Sequence, residues 1–97
     1  MALIDPEGAE MRALDALVDL KGRSVLEVGA GDGRFTWRLA DRARSVLALE
    51  PQEREVLRAR AAMSPGLERR VQFVPADATT YRYPSSRFDI AVLSYSL

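Results

Sequence analysis

Residues 24 to 35, SVLEVGAGDGRF, run from an apolar stretch of strand length into three glycines within five positions and on into a segment with an apolar stripe. Such a passage predicts a buried β-strand, a tight turn and a helix. Gly29, Gly31 and Gly33 remove side chains where a ligand would touch main chain. The start of the next helix adds unpaired N–H groups and a partial positive charge. The turn is therefore a candidate seat for an anionic or polar group, although a tight strand-to-helix turn alone can also demand glycine.

The same alternation recurs along the chain. Asp5-Pro6-Glu7 supplies a capping acid and an N1 proline, and Met11, Leu14, Leu17 and Val18 follow at helical spacing, which predicts a helix from about residue 6 to 20. Lys21-Gly22 ends it. Strand one is Ser24 to Val28, and Phe35 with Leu39 predicts a helix over 33–43. Ser45 to Leu49 reads as strand two, ending at Glu50-Pro51. Val56, Ala59 and Met63 then mark a helix over 52–63, closed by Ser64-Pro65-Gly66. Val71 to Val74 is strand three, ending at Pro75-Ala76-Asp77. Residues 79–86 have no period and read as loop. Ile90 to Leu93 forms the buried part of strand four.

This order describes one α/β domain over residues 1–97, a Rossmann-like open sheet of about four parallel strands in the order 3-2-1-4 with flanking helices. Ligands of such sheets sit at the carboxyl ends of the strands, where the chain reverses direction across the sheet. Glu50 stands at one such end and can accept both hydroxyls of a ribose. Its alternative reading is a helix-start acid acting only on the dipole. Asp77 stands at the end of strand three, and its alternative reading is a turn-forming Asx residue.

Composition narrows the chemistry. Lys and Arg number 14, as do Asp and Glu, so no net field favours nucleic acid or an anionic membrane. Cysteine and histidine are both absent, which removes disulfides, thiolate metal sites, the commonest metal ligand and the usual general base. No apolar stretch approaches the roughly 20 residues of a membrane span, and no leader pattern opens the chain. A cytoplasmic protein without a metal is the expectation.

Glycine spacing separates cofactors. The dinucleotide fingerprint is G-x-G-x-x-G, whereas this chain has G-x-G-x-G preceded by Glu27. VLEVGAGDGRF, LALEP and VPADAT, in this order, resemble the first three motifs of the class I S-adenosylmethionine-dependent methyltransferases. The resemblance implies S-adenosylmethionine as cofactor and S-adenosylhomocysteine as product. It assigns cofactor contacts to Glu27, Gly29, Ala30, Gly31 and Gly33 of the first loop and to Glu50 and Pro51, with Glu50 on the ribose. It also assigns Asp77 and the Ala78 N–H to the adenine, and Ser94 to the methionine end. LSYSL resembles only the start of the fourth motif. No catalytic residue is identified.

From about residue 22 the resemblance covers the chain, yet full members continue through three more strands. The sequence accordingly reads as a minimal or truncated methyltransferase acting on a small-molecule acceptor. A noncatalytic S-adenosylmethionine-binding or assembly module is the alternative, and a nicotinamide-dependent oxidoreductase is a more distant one. With strand four at the edge, Ile90 to Leu93 would be apolar and unpaired. That predicts either a homodimer along strand four or by element swapping, or a chain that is unstable and aggregates alone.

Overall fold

The computed structural model describes residues 2–4, 19–84 and 88–94. The strands are β1 (Ala2–Ile4), β2 (Ser24–Val28), β3 (Ser45–Leu49), β4 (Val71–Val74) and β5 (Ile90–Leu93). They form one sheet in the order β1-β5-β2-β3-β4, and every pair is parallel. Strands one to four of the sequence reading are β2 to β5. The expected order 3-2-1-4 is therefore present, running from β4 to β5.

One expectation is corrected at the sheet's end. Strand four is not the edge, because Ala2, Leu3 and Ile4 pair with Ile90, Ala91 and Val92 on its outer side. The open fourth-strand edge on which dimerisation was expected is thus taken by the chain's own first residues. A three-residue apolar run is too short to carry a readable period, so sequence patterning passed over it. The helix expected from about 6 to 20 lies outside the described residues, apart from its last two positions.

Strand pleating separates two cores. Val25, Val46, Ala48, Val71, Phe73, Ile90 and Val92 face the helices, where Leu39 and Ala40 of α1 (Thr36–Ala40) and Val56 and Ala59 of α2 (Glu53–Ala61) bury against them. On the opposite face Leu26, Leu47, Leu49 and Ala91 pack with Ala76, Tyr81 and Phe88 from the β4–β5 connection. No helix is described in that connection. A turn forms instead, in which the N–H groups of Thr80 and Tyr81 donate to the Asp77 carbonyl at 3.1 and 2.9 Å.

Both helices are shorter than their periodicity suggests, for local reasons. Gly33 has φ +90°, outside the helical region, so α1 cannot begin there. At the other end Arg70 reaches in from just before β4 and donates to the carbonyls of Ala40 and Ala43 at 2.9 and 3.0 Å. Those carbonyls would otherwise lack intrahelical partners. In α2, Gln52 is extended (ψ 104°) and serves as N-cap, Glu53 and Glu55 occupy the first turn, and Arg58 and Arg60 the last. That charge order matches the helix dipole. Trp37, off the apolar stripe of α1, meets Phe73 edge-on with ring centroids 5.3 Å apart.

Candidate functional site

Four strand ends converge on one open cleft of about 860 Å³, a size common for small-molecule sites. The glycine loop supplies Gly29, Ala30 and Gly31, β3 leads into Glu50 and Pro51, and the turn after β4 contributes Asp77 and Ala78. Ser94, directly after β5, closes the fourth side. Eight of the ten residues assigned to cofactor contact therefore line the same space. Glu27 and Gly33 do not.

The loop is lashed to β3 before any ligand arrives. The N–H groups of Gly29 and Ala30 donate to the Leu49 carbonyl at 2.9 and 3.1 Å. Gly31, at φ +59°, turns its N–H onto Glu50 Oε1 at 2.9 Å. The second oxygen, Oε2, accepts from the Gln52 N–H at the same distance. Glu50 is therefore held by one backbone donor on each oxygen. A carboxylate offers about four lone-pair sites, so each oxygen retains capacity for a further donor, and Glu50 is only 7% exposed.

Asp77 is exposed and shaped as an Asx turn. Its Oδ1 accepts both the Thr79 hydroxyl at 2.7 Å and the Thr79 N–H at 2.8 Å. These bonds, the hydroxyl foremost, hold the carboxyl below its ordinary range. The turn reading of Asp77 is thus realised on Oδ1, while Oδ2 takes no part in the turn. Tyr81 packs into the second core, and Tyr83 donates to the Ala78 carbonyl at 2.8 Å, bracing that turn from outside the cleft.

Gly33 has a different purpose from the one its motif suggests. A Cβ built on it would lie 3.0 Å from Phe73 Cζ, 3.2 Å from Trp37 Cζ2 and 3.3 Å from Ala59 Cβ. Its missing side chain lets the loop pack on the sheet and α2. Glu27 lies beneath the floor, fully buried. Its Oε1 accepts from the Thr36 hydroxyl of α1. Oε2 has no partner, and neither has the buried Ser94 Oγ. Burial, offset in part by Thr36 and by the nearby Ser94 hydroxyl, which stops short of a formed bond, pushes the Glu27 carboxyl up to about 7.

That shift has a measurable consequence. Unfolded, Glu27 ionises around 4.5, whereas folded it keeps its proton to about 7. The folded chain binds more protons between those values, so stability falls as pH rises across that window, by about 3 kcal/mol for the whole shift. Glu27→Gln mimics the neutral acid and lacks this slope. Urea melts should show the variant gaining about 2–3 kcal/mol on the parent between about pH 5 and about pH 8.

Sequence reasoning missed the cleft's charged rim. Arg34 and Arg38 of the α1 side and Glu55 and Arg58 of α2 border it. Arg34 pairs with Asp32 at 3.8 Å, and Arg58 with Glu55 at 3.5 Å. Only helical phase, which places these positions toward the strand ends, could have flagged them. Among the described residues no group of three acidic, histidine or cysteine side chains could hold a metal, and no helix is long and apolar enough to cross a membrane.

A model of a family described as a methyltransferase domain matches residues 25–97. The chain belongs to that family. Among curated proteins it is 35% identical over 83 residues to an uncharacterized methyltransferase of Bacillus subtilis, YrrT, covering 86% of this chain and 37% of that protein. An S-adenosylmethionine-dependent methyltransferase from Mesorhizobium loti superposes with TM-score 0.72 at 30% identity, covering 90% of this chain and 40% of its own. The cyclase SpnF superposes with TM-score 0.66 at 31% identity, covering 82% and 32%. The chain thus spans well under half the length of these relatives. The methyltransferase domain carries a class I Rossmann-like sheet, and the cofactor of its family is S-adenosylmethionine.

Proposed function

We propose that this domain binds S-adenosylmethionine across the glycine loop and transfers its methyl group to a small-molecule acceptor. The contact of Gly31 N–H with Glu50 Oε1 at 2.9 Å carries this reading. It joins two segments far apart in sequence and aims a preset carboxylate along the loop. The chemistry of the donors suits the cofactor. Glu50 keeps one open acceptor site on each oxygen for the two ribose hydroxyls, and Asp77 Oδ2, free of the turn bonds made by Oδ1, suits the adenine amino group. Ser94, which the resemblance assigns to the methionine end, borders the cleft, and its Oγ and Glu27 Oε2 are buried polar atoms without a formed partner.

S-adenosylmethionine, when bound, supplies a methyl group activated by its sulfonium. What the chain must do is orient the acceptor in line with that methyl and keep water away. The backbone of the loop and the locked Glu50 serve orientation, because their geometry is set by internal hydrogen bonds rather than by the ligand. The balanced charge of the chain supports a small acceptor over a polyanion. A second reading, occupancy of the cleft without methyl transfer, draws support from the likeness to the cyclase SpnF.

Titration calorimetry with S-adenosylmethionine, S-adenosylhomocysteine and NAD tests the binding. The first two should bind and NAD should not. Radiolabelled methyl transfer to a panel of small acceptors then separates the two readings: label in an acceptor supports transfer, while tight binding with no label in any acceptor supports occupancy alone.

A further inference from the structure

Glu27 is a fully buried carboxyl, and among the described residues no charge answers it. On α1 the buried side chains are Thr36, Leu39 and Ala40. From β3 come Val46 and Ala48, and from β5 come Ile90 and Val92 with Ser94 beyond them. None of these is titratable, and among the described residues no cation contributes to its ionisation. Of the acids that line the cleft, Glu50 is held by Gly31 and Gln52 with one acceptor site left on each oxygen, and Asp32, Glu55 and Asp77 lie at the other lining positions. An unpaired buried carboxylate costs several kcal/mol or more, and here one of its oxygens would face no formed donor.

A neutral acid removes both defects. Protonated on Oε2, Glu27 can donate to Ser94 Oγ after a small rotation, so the two orphan atoms satisfy one another. Ser94 is anchored through its own N–H to the Val28 carbonyl at 2.8 Å and lines the cleft. Ser94 thus borders the cleft while its Oγ is buried near the acid.

Resting on the cofactor reading above, we infer that Glu27 and Ser94 form a proton-releasing pair: Glu27 is neutral when the cleft holds no cation and ionises when the cofactor's sulfonium and ammonium settle over Ser94. The proton on Oε2 passes to Ser94 Oγ, and as the Ser94 hydroxyl turns from its buried position toward the cleft its own proton leaves to water and the buffer. Ser94 then donates its new O–H to the Glu27 carboxylate, and one proton has gone to solvent for each carboxyl ionised. The rise of the carboxyl to about 7 makes the exchange readable near neutral pH. Glu27 acts here as a positioning residue, answering the cofactor's charge through Ser94.

Calorimetry of S-adenosylmethionine binding in two buffers of different ionisation enthalpy, near pH 6.5, counts the protons. The unchanged chain should release about half a proton per cofactor more than Glu27→Gln does. S-adenosylhomocysteine, which lacks the sulfonium charge, should release less. Infrared difference spectra provide a readout that needs no variant, since the band of a protonated buried carboxyl should vanish from the unchanged chain when S-adenosylmethionine is added. Binding heat that is the same in both buffers, equal proton release from Glu27→Gln, or a carboxyl band that persists in the complex would each overturn the inference while leaving the binding site intact. No binding heat at all would overturn the cofactor reading as well, which keeps the two failures distinct.

Discussion

Glu50→Ala will bind S-adenosylhomocysteine about tenfold to a hundredfold more weakly than the unchanged chain, or more, in titration calorimetry. A charge-assisted hydrogen bond contributes about 1.5–3 kcal/mol and each tenfold in affinity is about 1.4 kcal/mol. The substitution removes the ribose acceptor and frees the Gly31 and Gln52 N–H groups that Glu50 now holds at 2.9 Å. Both losses act in the same direction, because the loop must then be ordered by the ligand. Glu50→Asp separates them. A side chain one methylene shorter can keep the charge but cannot span Gly31 and a ribose together, so its affinity should fall between the two. If Glu50→Ala bound as tightly as the parent, the acid would be only a helix-start residue.

The second large effect is on stability. Gly33→Ala should destabilise the fold by about 2–5 kcal/mol, the sum of left-handed strain of about 1–2 kcal/mol and overpacking of about 1–3 kcal/mol. Gly66 provides the control, since it has the same φ of +90° but nothing within 4 Å of its built Cβ. Gly66→Ala carries the strain alone. The difference between the two variants in urea melts therefore isolates the contact with Phe73, Trp37 and Ala59. For a domain of this size each kcal/mol corresponds to about 4–8 °C in Tm, so the effect is also readable by heating. Equal losses in both variants would show that Gly33 is needed for its backbone angle only.

These two residues illustrate unequal legibility. Glu50 was found because a strand end and an acid are both local facts, visible within LALEP. Its partner was not visible, since nothing in the chain's order says that Gly31 rather than Ala30 turns its N–H toward it. Gly33 carries the right letter for a ligand loop and yet faces the core, because motif spacing does not record which side of the backbone another element approaches. Asp77 reads from sequence as a turn or a ligand contact. Atomic geometry shows the turn on Oδ1 and leaves Oδ2 outside it, a distinction that residue order does not draw.

What the amino-acid order determined by itself was the alternation of strand and helix, the parallel order of the four main strands, and the acids Glu50 and Asp77 beyond two of their ends. Each follows from apolar periodicity, turn chemistry and crossover length, which act over a few neighbouring residues or through the general handedness of the chain. Tertiary structure alone decided that Ala2–Ile4 would cover β5, that Arg70 would finish α1, and that Glu27 would lie buried with Thr36 on one oxygen and no formed partner on the other. Those outcomes are contacts between residues remote in sequence. They depend on how packed elements share the remaining space, which local pattern does not encode.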